Sequence, residues 1–145
     1  MAGGRHRLRR MTPWIIAWLG GPVIGIANGV TRELVYKDAV GDLTAHQIST
    51  ATAIGLFAGY FWLLERRYPL ADDRAALRVG AAWLGLTIVF EFGFGRAVDG
   101  KTWSELLADY DLSRGRVWTL VLAWLLLGPA IVRRVRRRST TGLSR

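Results

Sequence analysis

Apolar residues fall in four blocks along the chain, and nearly all the charge lies between them. The blocks are residues 13–31 (PWIIAWLGGPVIGIANGVT), 47–64 (QISTATAIGLFAGYFWLL), 79–95 (VGAAWLGLTIVFEFGFG) and 117–132 (VWTLVLAWLLLGPAIV). A surface helix of a soluble protein keeps a polar stripe, and these blocks have none. Nor do they alternate in polarity, as the strands of a transmembrane β-barrel would. A bilayer core about 30 Å thick takes roughly 17 to 25 helical residues. The first two blocks reach that length, and the last two reach it with flanking residues. The pattern predicts an all-α fold: an integral membrane four-helix bundle, forming a single transmembrane domain over residues 1–145 with a basic tail at 133–145.

The loop between spans three and four carries its own helical signal. Thr102-Trp103-Ser104-Glu105 fits a capping box, with Thr102 as N-cap and Glu105 three residues on. Trp103, Leu106, Leu107 and Tyr110 then recur at helical spacing, one apolar face. A short interfacial helix is expected there, lying on the membrane surface or folded over the bundle as a lid.

Charge assigns the sides. With four spans and both termini together, one face of the membrane holds fourteen of the twenty basic residues, from the N-terminus, the 65–78 loop and the tail. The other holds six: Arg32, Lys37, Arg96, Lys101, Arg114 and Arg116. This is the positive-inside pattern, with cytoplasmic termini. Eighteen of the basic residues are arginine, a bias of GC-rich coding, and the expected home is a bacterial-type cytoplasmic (inner) membrane. The net charge of +9 therefore points to anionic lipid headgroups for the run RRVRRR (133–138), and nucleic acid is not expected. The N-terminal RHRLRR also suits a signal peptide, with Gly25-x-Ala27 as a cleavage site. The apolar run is long for that purpose and is broken at Gly20-Gly21-Pro22, so a retained span is expected.

Span one carries Gly21, Gly25 and Gly29, and span two Gly55 and Gly59. Small residues four apart allow close helix contact in lipid, which predicts tight packing of these two spans. Pro22 and Pro129 should each kink a span, leaving the Trp18 and Leu125 carbonyls short of their usual donors. Trp14, Trp62, Trp103 and Trp118 fall at expected interfaces, and Trp18, Trp83 and Trp124 deeper.

Within IVFEFGFGR (88–96), Glu91 sits among Ile, Val and Phe. It follows Arg78 by thirteen residues, or about 20 Å of helix, which puts it in the outer half of the membrane. Asn28, Arg32, Glu33, His46, Ser49 and Arg96 fall at a similar level. A buried carboxylate must be protonated, paired or hydrated. Arg32 and Arg96 are the expected partners, since a guanidinium meets a carboxylate with two parallel bonds. The expected site is one outward-facing polar cluster: Glu91, Arg32, His46, Asn28, Arg96, Glu33 and Ser49.

The chain has no cysteine, which excludes disulfides and thiolate chemistry. It holds no Walker A loop, HExxH or G-x-S-x-G motif. No spacing suggests a metal site, and no cofactor is expected. Intramembrane ionisable groups make a small transporter or channel subunit the leading functional expectation. A structural or accessory subunit of a membrane complex and an enzyme acting on a lipid headgroup are the alternatives. A homo-oligomer or larger complex is expected, because four short helices leave little room for a pore. The size and four-span layout look like those of the small multidrug transporters, a resemblance that implies a dimer. That family's essential glutamate lies in the first span, whereas the acid here lies in the third, so no residue carries over.

Overall fold

The computed structural model describes residues 2–141, with side chains from Arg10 onward. His6 and the arginines at 5, 7, 9 and 145 fall outside the described side chains. The described residues are helical, with no strand. The order is α1 (Ala2–Ala17), α2 (Gly20–Thr31), a π-helical turn (Arg32–Tyr36), α3 (Lys37–Val40), α4 (Asp42–Arg67), α5 (Asp73–Ala97), α6 (Trp103–Ala108), a 3-10 turn (Leu112–Arg114) and α7 (Thr119–Thr141). Among the described residues, three helical stretches are long and apolar enough to cross a membrane: Arg10–Val40, Asp42–Arg67 and Asp73–Ala97. The fourth apolar block lies in α7, but that helix turns strongly basic after Val132. The run at 133–138 is thus not a separate tail; it continues α7.

The first apolar block is two helices, and Pro22 explains why. Proline has no N–H to offer the Trp18 carbonyl. The Gly21 N–H turns to that carbonyl instead, at 2.7 Å. The Ala17 carbonyl, which Gly21 would have served, takes the Tyr60 hydroxyl at 2.8 Å. Gly20 makes this approach feasible, because a Cβ there would stand 2.6 Å from Tyr60 Oη. The Trp14 carbonyl similarly accepts from Trp83 Nε1 at 2.9 Å. The break is sealed by side chains of α4 and α5.

α7 packs against both α5 and α4, α2 against α4, and α1 against α5. The core is aromatic: Trp83 meets Phe61 edge-on at 5.1 Å and Phe57 at 6.3 Å, with Trp14 beside Phe61. Such pairs add about 0.5–1.5 kcal/mol each beyond burial. Large aliphatic side chains of the first stretch face outward, among them Val23, Ile26, Leu34 (81% exposed) and Val35 (72%). In water they would form an unusually large apolar patch.

The glycine ladder does not make the close contacts expected of it. A Cβ on Gly25, Gly29, Gly55 or Gly59 would meet nothing within 4 Å, and only Gly21 touches neighbours, Phe57 and Trp83. The tight approach lies elsewhere. A Cβ on Gly80 of α5 would collide with the Leu126 carbonyl of α7, and one on Gly128 would stand 2.6 Å from the Phe61 ring. Which glycines touch depends on which helices become neighbours, and α5 with α7 is the most intimate pair.

At the basic end, Arg133 is buried (5% exposed) rather than lying among headgroups. It donates to the carbonyls of Leu70 (3.2 Å) and Ala71 (3.0 Å) and pairs with Asp73, which Arg134 also binds. Trp14 Nε1 holds the Tyr68 carbonyl at 2.9 Å. The α4–α5 loop is therefore clamped by side chains from α1 and α7. Its buried carbonyls, which need a donor, draw Arg133 inward. At the opposite end Gly41 reverses the chain into α4 with φ +83, a conformation that favours glycine.

Candidate functional site

Glu91 sits on the face of α5 that also carries Trp83 and Thr87, two turns and one turn earlier. Each meets an aromatic partner. Thr87 Oγ1 accepts from Trp18 Nε1 at 3.1 Å. Glu91 Oε1 accepts from Trp118 Nε1 at 3.0 Å, and its Oε2 takes the Tyr110 hydroxyl in a short bond. Burial, reinforced by the Glu91 carboxylate, pushes the Tyr110 hydroxyl far above the usual tyrosine range, so it keeps its proton. Tyr110 also stacks on Phe92 at 5.7 Å, and Phe92 on Trp103 at 6.0 Å.

The segment carrying these partners is built as its sequence suggests. Thr102 caps α6 with a full capping box through Glu105. Leu106 is buried and rests on Gly95, where a Cβ would come within 2.5 Å of its Cδ2. α6 thus folds back against the end of α5, placing Tyr110 over Glu91.

Contrary to expectation, neither Arg32 nor Arg96 pairs with Glu91. Arg32 pairs with its neighbour Glu33 at 2.9 Å, and Lys37 holds the other oxygen of Glu33 at 2.7 Å. Arg96 donates to the Lys101 carbonyl at 3.0 Å and lies over the Trp103 ring at 5.2 Å. Five residues of helix rotate Arg96 about 140° away from Glu91, and a sequence neighbour satisfies Arg32 without bending α2.

The remaining polar residues do converge. Asn28 donates to the Ser49 carbonyl (2.8 Å) and hydroxyl (2.9 Å), tying α2 to α4. His46 is 6% exposed, and its Nε2 has no hydrogen-bond partner. Asn28, Arg32, His46, Ser49 and Glu91 all line one cavity of about 470 Å³; Glu33 and Arg96 do not. Asp42, Arg116, Tyr110 and Trp118 also line it and escaped the sequence reading. Tyr110 and Trp118 lie 19 and 27 positions after Glu91, so no local spacing marks them as its partners. Arg116 and Asp42 pair at 3.0 Å across 74 positions, with nothing local to announce it.

A second cavity of about 190 Å³ lies against the first. Its walls include Trp18, Pro22, Ile26, Phe57, Trp83, Val121 and Leu125. The two share Gly25, Phe90, Glu91 and Trp118. Gly25 puts no side chain into this junction, and a Cβ there would meet nothing within 4 Å, so the space stays open. The result is a polar chamber joined to an apolar slot, with one carboxylate at the join. Among the described residues no group of three or more His, Asp or Glu is placed to hold a metal ion.

No family model, curated protein or solved structure matches the chain. The class the geometry defines is a helical protein with membrane-length helices and an amphipathic cavity at one end.

Proposed function

We propose that this chain is a small multi-pass protein of a bacterial-type inner membrane that binds an amphipathic small molecule from the non-cytoplasmic side. In this reading the first stretch, α4, α5 and α7 all cross the bilayer, and both termini are cytoplasmic. The observation that carries it is the junction of the polar chamber and apolar slot at Glu91. The orphaned imidazole nitrogen of His46 in the same chamber supports it, since buried polar groups are ordinarily partnered.

Such a site serves as the binding station of a small transporter subunit. Carriage would have to pass the Trp14–Phe61–Trp83 cluster beneath the slot, so it needs a rearrangement, a second copy or a larger complex. A structural role is the second reading, favoured by the two bonds that tie Glu91 of α5 to the segment leading into α7.

Gly25→Leu tests the proposal. A side chain there meets no protein atom within 4 Å at Cβ yet fills the junction of both cavities. Trp18, Trp83 and Trp118 line the slot and report occupancy by their fluorescence. Titration with short amphiphiles in nanodiscs should give a saturable change in the wild type and none in Gly25→Leu, with helix content unchanged. Equal binding by both proteins, or no saturable change in either, sinks the proposal.

A further inference from the structure

We infer that the amphiphile taken by this site has a neutral sugar ring as its head, hydrogen-bonded through its hydroxyls in the polar chamber, and a short alkyl chain in the slot. The inference rests on the paired cavities being a binding site. Its ground is an imbalance between the chamber's donors and acceptors. The neutral donors are spent within the protein: Asn28 Nδ2 on Ser49, and the Tyr110 hydroxyl and Trp118 Nε1 on Glu91. The charged donors each face a carboxylate: Arg116 meets Asp42 at 3.0 Å, Arg32 meets Glu33 at 2.9 Å, and Lys101 stands 4.0 Å from Asp109. Accepting capacity is left over. Each Glu91 oxygen takes one described bond, and a carboxylate has room for about four in all. Asp99 also lines the chamber, and none of the described ion pairs involves it. His46 lines it too, 6% exposed, with Nε2 lacking a partner. A hydroxyl both donates and accepts, so it satisfies that nitrogen in either tautomer.

The open groups stand on separate segments: His46 on α4, Glu91 on α5 and Asp99 just beyond it. One head must therefore offer several donors in several directions. A ring of hydroxyls does so, and its bonds to carboxylates are of the short, charge-assisted kind. A quaternary ammonium brings no donor, and an anion adds acceptors where acceptors are already in excess. The walls suit the same head. Phe90, Phe92, Tyr110 and Trp118 line the chamber, and a sugar ring sets an apolar C–H face beside its polar edge; ligand pockets commonly join aromatic walls to a few placed polar groups. A cavity of roughly 150 Å³ lined by apolar groups holds benzene. The slot, at about 190 Å³, takes a chain of about six carbons on that scale.

Four probes with one hexyl chain and different heads test this: hexyl β-glucoside, hexyl tri(ethylene glycol), hexyltrimethylammonium and hexyl sulfate. Each is titrated into wild-type protein in phosphatidylcholine nanodiscs, with tryptophan fluorescence as the readout. The glucoside should bind about tenfold or more tighter than the glycol ether, whose neutral head is nearly all acceptor, and tighter than either ion. His46→Leu removes the orphaned nitrogen. It should weaken the glucoside about tenfold and leave the glycol ether unchanged, which also shows that the variant is folded. Should that variant not fold, the wild-type series decides alone. Glucoside binding no tighter than the glycol ether, or undiminished in His46→Leu, overturns the sugar assignment while leaving the binding site intact. Tightest binding of the ammonium overturns it in favour of the chamber's unpaired carboxylates, and tightest binding of the sulfate in favour of its arginines. If none of the four gives a saturable change, the sugar assignment and the site itself are both refuted.

Discussion

Tyr60→Phe removes one oxygen atom, and its consequence follows from the break at Pro22. The Ala17 carbonyl has lost its ordinary donor, because the Gly21 N–H is engaged with Trp18 at 2.7 Å. Tyr60 Oη, 2.8 Å away, is the replacement. Hydrogen bonds between membrane helices average only about 0.6 kcal/mol, since the unfolded chain finds other partners. Here the Ala17 carbonyl makes no other hydrogen bond among the described residues, and an acceptor left bare at this part-buried site costs up to about 1–3 kcal/mol. Gly20→Ala should act through the same bond, because its Cβ would stand 2.6 Å from Oη and 3.1 Å from Cζ. The alanine recovers about 0.5–1 kcal/mol of helix propensity, so its net cost should be smaller. The decisive quantity is the coupling. In the Tyr60→Phe background the closest clash is gone, and the double variant should cost little more than Tyr60→Phe alone. Unfolding in mixed micelles by SDS titration, run as a double-mutant cycle, measures it. Strictly additive costs, or a Tyr60→Phe cost below about 0.5 kcal/mol, would refute the sealing of the break by this hydroxyl.

The glycines divide sharply. Gly80→Ala drives a methyl group into the Leu126 carbonyl and should cost about 1–3 kcal/mol or more by overpacking, whereas Gly59→Ala, with open space around it, should be neutral or stabilising by up to about 1 kcal/mol; the same SDS titration checks both. The lid should loosen in acid: hydrogen bonds from the Thr102 backbone and hydroxyl hold the Glu105 carboxyl below its ordinary 4.5. Its contribution to α6 is therefore complete above that ordinary value and fades as pH falls through the lowered one. Amide exchange in residues 103–108 should be unchanged from pH 7 to 5, then less protected at lower pH once corrected for intrinsic rates; no change, or loosening on raising the pH, contradicts the capping role.

Several features of the site show how far local pattern reaches. The capping box at Thr102 and Glu105 is a relation between residues three apart, so composition and spacing reveal it. The gathering of Asn28, His46, Ser49 and Glu91 at one level follows from counting helical rise, which is equally local. The partner of Glu91 does not. Arg96 is near in sequence but faces away, and Tyr110 reaches Glu91 only because Leu106 seats α6 against Gly95. Arg133 reads as one of a row of headgroup-seeking arginines until the loop carbonyls of Leu70 and Ala71 are found beside it.

Sequence alone determined that the described residues are helical and where three stretches apolar enough to cross a bilayer lie, because both are sums of properties carried by each residue along its own helix; the fourth block it marked lies in α7, which turns basic too soon to join them. Tertiary structure decided which glycines touch, which arginine is buried, and that a carboxylate is met by a phenol and an indole instead of a guanidinium. Those outcomes depend on how each helix is rotated and which helix lies beside it. A turn of about 100° per residue makes neighbours in sequence strangers in space.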